Sequence, residues 1–497
     1  MSTQLSRRAF LQWTGLGVAG TALAACVPAG APAESGAAGS SDQAAPAAAT
    51  KTVAYWLLGG ARWEDFYHNQ IFPPFAEQHP EIQMETTIIG SWTDLYNKLV
   101  TSTAGGAPPE LARQKDFFTP DFAVRGIQQP LDDYVATSSH ITADAYLPLA
   151  WENSHWDGKL VAMPLHIFIH YLHMSNDLFA GAGLTNDDGS VQAPDTWEEF
   201  RTAAEAIAQP DQGVFGTMLR DYGGQEDTVN FYHVWLTMAG GQLIDENYEQ
   251  FLFNSAEGLE ALTFQVNLVK DGLCLPPGTP TDGVIENNKV GMWFHAANYW
   301  PAYLTNNPDF QWSTAINPIR QTRGAVLRGN HLAMFAAAKE KDAAWAFLDF
   351  HMEPDNDYLY AQNANYFTAR VENYSRPMYE GAYEGRAHVL YSTEIDQYNL
   401  PDNQPQPIFP GYQEATFMIG AQLMEAYLGQ KSPEEALAQA EIDGNKVLTG
   451  RGAAGHVGIA NLQGFANPSR PPPRLGREPR SRRRNNGSSP HWEIPRL

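Results

Sequence analysis

Cysteine is nearly absent. The 497-residue chain has two, Cys26 and Cys274, so no framework of disulfides holds it together. Positive charge is also scarce: 32 Lys and Arg stand against 56 Asp and Glu, a formal charge of −24. That balance excludes a surface built to grip nucleic acid. No G-x-S-x-G elbow, H-E-x-x-H pair or phosphate loop occurs in the chain, which removes the corresponding hydrolase, metalloprotease and nucleotidase signatures. What is present is ordinary globular material, 43% hydrophobic and 18% charged, long enough for two substantial cores and too long for one domain of usual size.

The first residues form an address. Ser6-Arg7-Arg8-Ala9-Phe10-Leu11 precedes a Gly/Ala-rich apolar stretch that closes on Leu23-Ala24-Ala25-Cys26. Paired arginines, a short apolar run and a small-residue site make a twin-arginine export signal, and the last four residues resemble a lipobox. Residues 1–25 therefore read as a twin-arginine lipoprotein signal peptide, with Cys26 as the lipidated mature N-terminus. Two acyl chains on Cys26 suffice for stable anchoring, whereas the apolar run is short for a membrane span. Gly15-Leu16-Gly17-Val18-Ala19-Gly20 matches a dinucleotide fingerprint but lies inside this signal, with no βαβ unit around it. Residues 26–50, almost wholly Ala, Pro, Gly and Ser, read as a tether. The expected location is the outer face of the cell membrane or the periplasm.

The body follows. Val53-Ala54-Tyr55-Trp56-Leu57-Leu58 suits a buried strand, and a helical segment interrupted by Pro73-Pro74 runs to about His79. Ile82, Met84, Thr86 and Ile88 alternate with polar residues as in a strand, and Ser91 with Asp94 starts a helix that ends at Gly105-Gly106. Strand and helix in alternation predict an α/β fold. Thr196 with Glu199 caps a second helix, Leu259, Leu262, Val266 and Val269 mark a third, and Ser432-Pro433-Glu434-Glu435 opens a fourth. Residues 451–497 differ in texture, with nine Arg against Glu478 and Glu493, and read as a basic, Pro/Arg-rich, disordered tail. The residues from 26 to 450 then carry −33.

Sites of chemistry are few. Leu273-Cys274-Leu275-Pro276 suits an inert packed thiol. His166, His170 and His173 would share a face only on a helix, and their apolar run looks extended, so a metal site is not expected. Asn186-Asp187-Asp188-Gly189 fits a turn better than a calcium loop, and Glu198-Glu199 fits a helix N-terminus better than a catalytic pair. Aromatics are the positive signal, at 12% of the chain: Trp56, Trp63, Trp92, Trp235, Trp293 and Trp300 lie near Gly, Asn or strand ends. Flat rings stack on the C–H faces of sugars while amides and carboxylates bond the hydroxyls.

The body also resembles a family, the extracellular solute-binding proteins of ABC importers of the maltose-binding type. The likeness rests on pieces in order: Phe75-Ala76-Glu77-Gln78-His79-Pro80-Glu81-Ile82, Gly105-Gly106-Ala107-Pro108-Pro109-Glu110, Gly126-Ile127-Gln128-Gln129-Pro130-Leu131-Asp132 and Asp157-Gly158-Lys159-Leu160-Val161-Ala162-Met163-Pro164. Thr196-Trp197-Glu198-Glu199-Phe200, Phe253-Asn254-Ser255-Ala256-Glu257-Gly258, Asn288-Lys289-Val290-Gly291-Met292 and Ala343-Ala344-Trp345-Ala346-Phe347-Leu348 continue the series. Glu110 stands where the family usually has Asp, and Ala297-Asn298 where a Gly is common.

The resemblance implies a two-lobed periplasmic-binding-protein-like (type II) fold with a hinged cleft. It assigns residues 51–165 plus 331–368 to one lobe and 166–330 plus 369–450 to the other, with crossings near 165–168, 329–332 and 367–371. It implies a membrane-anchored, monomeric component that captures a sugar or oligosaccharide and delivers it to an ABC permease, with no catalytic residues, cofactor or metal. With the aromatic signal, the candidate ligand contacts are Trp56, Gly60, Arg62, Trp63, Lys115, Asp116, Phe117, His166, Phe168, Asn230, Trp235, Trp300, Asn330 and Tyr412. Three other readings stand beside it. An anion binder of the same fold would use Lys115, Arg62 and Arg328, and a ferric binder a pair such as Tyr358 and Tyr360. A secreted glycan-cleaving enzyme would need two opposed carboxylates.

Overall fold

The apolar run at residues 53–58 forms the centre of the first strand. A computed structural model of the chain describes residues 50–219, 225–377 and 386–451. The export signal, Cys26, most of the tether and the basic tail lie outside the described residues. The strands, in chain order, are β1 (Lys51–Leu58), β2 (Ile82–Ile89), β3 (Leu111–Lys115), β4 (His155–Trp156), β5 (Lys159–Leu160), β6 (Met163–Ile169), β7 (Tyr171–Ser175), β8 (Phe215–Thr217), β9 (Val290–His295), β10 (Trp312–Ala315), β11 (Val326–Met334), β12 (Phe367–Thr368) and β13 (Gln404–Pro405).

Alternation along β1 sends Val53, Tyr55 and Leu57 into a core shared with Phe72, Phe75 and Phe347. The strand runs parallel to β2, with Tyr55 opposite Thr86, and parallel to β3, with Tyr55 opposite Leu111. The intervening helical segment comes in three pieces, Ala61–Phe66, a π turn at Tyr67–Ile71 and Phe72–Gln78. Pro73 and Pro74 occupy the first turn of the last piece, where a missing N–H leaves no bond unmade, so the irregularity falls just before the prolines rather than at them. Ser91 caps the helix Trp92–Ala104 by accepting from the Asp94 amide at 3.1 Å, which fixes Trp92 at its first turn. The Glu110 carboxylate accepts from the Ala54 amide at 2.8 Å, tying the end of the loop before β3 to β1.

Two sheets result. The larger has seven strands in the order β12-β6-β11-β3-β1-β2, with β13 added beside β11; the smaller has four, β10-β7-β9-β8. The chain leaves the first sheet at Ile169 and enters the second at Tyr171, so at this crossing the link is the single residue His170. The expected lobe boundaries at 165/166 and 330/331 fall inside β6 and β11, neighbouring antiparallel strands of the larger sheet. The helices read from the sequence form at Trp197–Ile207, Ala256–Lys270 and Pro433–Arg451, the first and last at the starts expected for them. At the last, Ser432 and Glu435 bond each other's amides at 3.0 and 3.2 Å, a complete capping box. The 186–189 segment is a turn closed by Thr185 against Val191, and no helix among the described residues is long and apolar enough to cross a membrane.

Candidate functional site

The end of β3 and the middle of β11 lie side by side, with Lys115 opposite Asn330. Above them the one-residue joint at His170, the helix Gln225–Met238 and the turn Ala297–Tyr299 close around a cavity of about 640 Å³, counting the space open to solvent. Its wall is aromatic on several sides, from Trp92, Phe117, Phe168, Phe231, Tyr299 and Tyr366.

The polar groups between the rings are tied to one another. Lys115 forms a hydrogen-bonded ion pair with Glu226, both mostly buried. Glu226 also accepts from the Asn230 amide at 3.2 Å. Asp116 receives the Phe117 and Gly329 backbone N–H groups, one on each oxygen, both at 2.8 Å. Burial nevertheless pushes its carboxyl up to about 7, against those two bonds and the nearby Arg328 and Lys115 charges. A Cβ at 329 would crowd the His166 carbonyl oxygen at 3.1 Å and touch Asp116 Oδ2 at 3.4 Å, so glycine eases this approach. Arg328, 4% exposed, donates to His170 Nδ1 and to the Asn230 carbonyl, each at 2.7 Å. The first bond leaves the imidazole neutral with its proton on Nε2, and its ring stacks on Phe231 at 4.9 Å.

Such a chamber presents ring faces together with paired donors and acceptors. It suits a small polar solute with apolar faces, and among the described residues no cluster of His, Cys, Asp or Glu is arranged to hold a metal ion.

Comparison with known proteins agrees in family. Residues 70–380 match the family described as bacterial extracellular solute-binding protein. The chain belongs to that family. A solute-binding protein of similar shape is the ABC transporter solute-binding protein from Thermotoga lettingae bound with alpha-D-tagatose, at a TM-score of 0.71 and 24% identity over 80% of this chain and all of that one. The mannitol-binding protein of Pseudomonas aeruginosa is 24% identical over 74% of this chain and 86% of its own, and a binding protein of Brucella abortus 23% identical over 77% and 90%.

Six of the expected contacts of this solute-binding protein line the one cavity: Lys115, Asp116, Phe117, Phe168, Asn230 and Asn330. His166 sits just behind it in a smaller neighbouring cavity. Its ring is stacked on Tyr366 at 3.8 Å, and burial holds its pKa well below the usual value. Trp63 is buried under Arg113 and beside Tyr360, and Arg62 lies over its outer side at 5.3 Å. Gly60 precedes that helix, where a Cβ would meet nothing. Neither Gly60, Arg62 nor Trp63 reaches the cavity wall.

Three other expected contacts lie away from this cavity. Trp56 projects from the opposite face of β1 to Tyr55 and lies under Lys98, 4.4 Å from its ring centre. Trp235, 1% exposed, is packed among Trp197, Phe200, Phe264 and Phe294. Tyr412 is wholly buried behind Phe117, with ring centres 5.2 Å apart, so it supports the wall without being part of it. Trp300 begins the helix Trp300–Asn306, and its side chain lies outside what the structure describes.

Sequence reasoning missed Glu226, Tyr299, Tyr366 and Gln406, which no motif flags. Trp92 carried a signal, standing immediately after the Ser91 cap, where a large apolar residue at a helix start faces the end of the sheet.

Proposed function

We propose that this protein is the solute-binding component of an ABC importer and that it captures a sugar or polyol in the cavity between Trp92, Lys115, Phe168 and Tyr366. The supporting observation is the composition of that wall: six aromatic side chains interleaved with a Lys–Glu pair, two aspartates and four amides. Aromatic faces take the C–H side of a pyranose or polyol, and the fixed donors and acceptors take its hydroxyls. The named ligands of the Pseudomonas and Thermotoga relatives, mannitol and tagatose, are of this class.

In this reading the two lobes assigned from the sequence close over the solute about β6, β11 and β12, and contacts to both lobes shift the population toward the closed form. The permease then recognises that form. Export runs by the twin-arginine route, and lipid on Cys26 holds the protein at the outer face of the membrane through the 26–50 tether. The protein acts as a monomer and does no chemistry on the solute.

A thermal-shift screen of the protein against mannitol, tagatose, mono- and oligosaccharides tests this, with phosphate, ferric citrate and amino acids alongside. A saturating rise in melting temperature for a few related sugars or polyols, recovered intact, is expected. A shift with phosphate or iron alone would leave the fold and remove the sugar. Replacement of Cys26 by Ala is expected to move the protein from the membrane fraction to the soluble one.

One observation favours a second reading. Asp116, with its raised pKa, shares the cavity with Glu226 and Asp227, the kind of acid and carboxylate pair that glycoside hydrolysis uses. Both Asp116 oxygens are engaged by backbone amides, and Glu226 is engaged by Lys115. Release of reducing ends from any stabilising oligosaccharide would establish the enzyme in place of the binder.

A further inference from the structure

Arg113 is a buried cation without an acid. It is the third residue of β3 and 3% exposed. Burial opposes its charge, yet the guanidinium stays protonated. No ion pair joins it to a carboxylate among the described residues. It faces rings instead, with the guanidinium carbon 4.6 Å from the centre of Trp63, 5.5 Å from Trp92 and 5.9 Å from Tyr366. With the Asn330 amide oriented to satisfy both its ends, Asn330 accepts from Arg113 Nη2 at 3.2 Å and donates to the Gly329 carbonyl at 2.8 Å.

Three of these four partners, Trp92, Tyr366 and Asn330, line the cavity, whereas Arg113 does not. One cation therefore contacts three wall side chains from outside the chamber. Ring faces are electron-rich and attract a cation, and a planar guanidinium can address several rings and an amide at once, which an ammonium cannot. Lys115 also stands 5.4 Å from Trp92, but its charge is engaged by Glu226.

We propose that Arg113 is a positioning residue that holds the Trp92 and Tyr366 rings and the Asn330 amide in their places on the wall. The proposal rests on the reading of this cavity as the solute site, and its test separates the two. In the ligand-free protein, acrylamide quenching assigned to Trp92 is read as the difference between each protein and the same protein carrying W92F. R113M is expected to raise that quenching about twofold or more and R113K to fall between, since charge without the planar fork restores only part of the contact. Unchanged Trp92 quenching in R113M overturns the proposal.

With the sugar or polyol that stabilises the wild type, R113M is expected to weaken binding about tenfold, and that loss is expected to be smaller in the W92F background because part of it acts through the Trp92 ring. Losses that simply add overturn the proposal. If R113M does not melt cooperatively, R113K supplies both readings. If no sugar or polyol binds the wild type, the solute reading fails, and the quenching result still decides whether Arg113 positions the wall.

Discussion

Trp235 and Trp92 are both large rings set beside a helix, yet one is core and the other is wall. Around Trp235 every approach is taken by another ring: Trp197 at 4.9 Å, Phe264 and Phe294 at 5.2 Å, Phe200 at 5.4 Å. Around Trp92 the neighbours are the edge of Phe118 at 6.4 Å and two cations, Arg113 and Lys115, and the ring borders open space. A tryptophan's use is thus decided by what covers it. Rings on all sides make it structural, while cations behind it and a gap in front leave it free to meet a solute.

The sharpest way to break that contrast is to truncate the buried ring. Trp235→Ala should destabilise the fold by about 3–5 kcal/mol, read from urea unfolding, with the affinity of the remaining folded protein little changed. A loss of affinity larger than the loss of stability would place Trp235 functionally with the wall. Next in size is Asp116, whose carboxyl goes from an ordinary value of 3.8 to about 7 in the fold. Between those values the folded chain keeps a proton that the unfolded chain has released, so this group's contribution to stability falls as pH rises from about 4 to about 7 and is level above that. His233 and His331, held down to about 3 by burial, slope the opposite way. The difference between wild type and Asp116→Asn isolates the aspartate and should decline across that window. A flat difference curve would mean that Asp116 ionises normally.

Trp92→Ala should reverse the pattern of Trp235. Its expected effect is about a tenfold loss of sugar affinity, about 1.4 kcal/mol, measured by calorimetry, with a smaller loss of stability. Equal affinity in the variant would remove Trp92 from the solute's contacts. The smallest effect is a control remote from both tryptophans. Ser432→Ala removes a helix cap and should lower stability by about 1 kcal/mol with binding untouched, by the same two measurements.

How much of this was legible follows from where each signal lies. The α/β alternation, the caps at Ser91, Thr196 and Ser432 and the strands at β1 and β2 are local, because a cap or a two-residue period is written within a few positions. Lys115-Asp116-Phe117 could be found because one strand end delivers all three to the cavity. Tyr366, Gln406 and Glu226 could not, since each comes from a different distant segment and only packing brings it there. Trp56 and Trp235 lie away from the cavity wall for the complementary reason: chain position next to a turn or a polar residue does not say which face a side chain takes. On β1 the pleat alone separates Tyr55 from Trp56.

The joined charges of Lys115 and Glu226 also govern what the chamber refuses. An uncharged hydroxyl can donate a hydrogen bond to the carboxylate and accept one from the ammonium while the two charges stay paired. An ion of either sign must draw one member toward itself and strand the other out of water, where an orphaned charge is strongly disfavoured. In the proposed reading of this cavity, the pair would favour an uncharged solute over an ion of either sign.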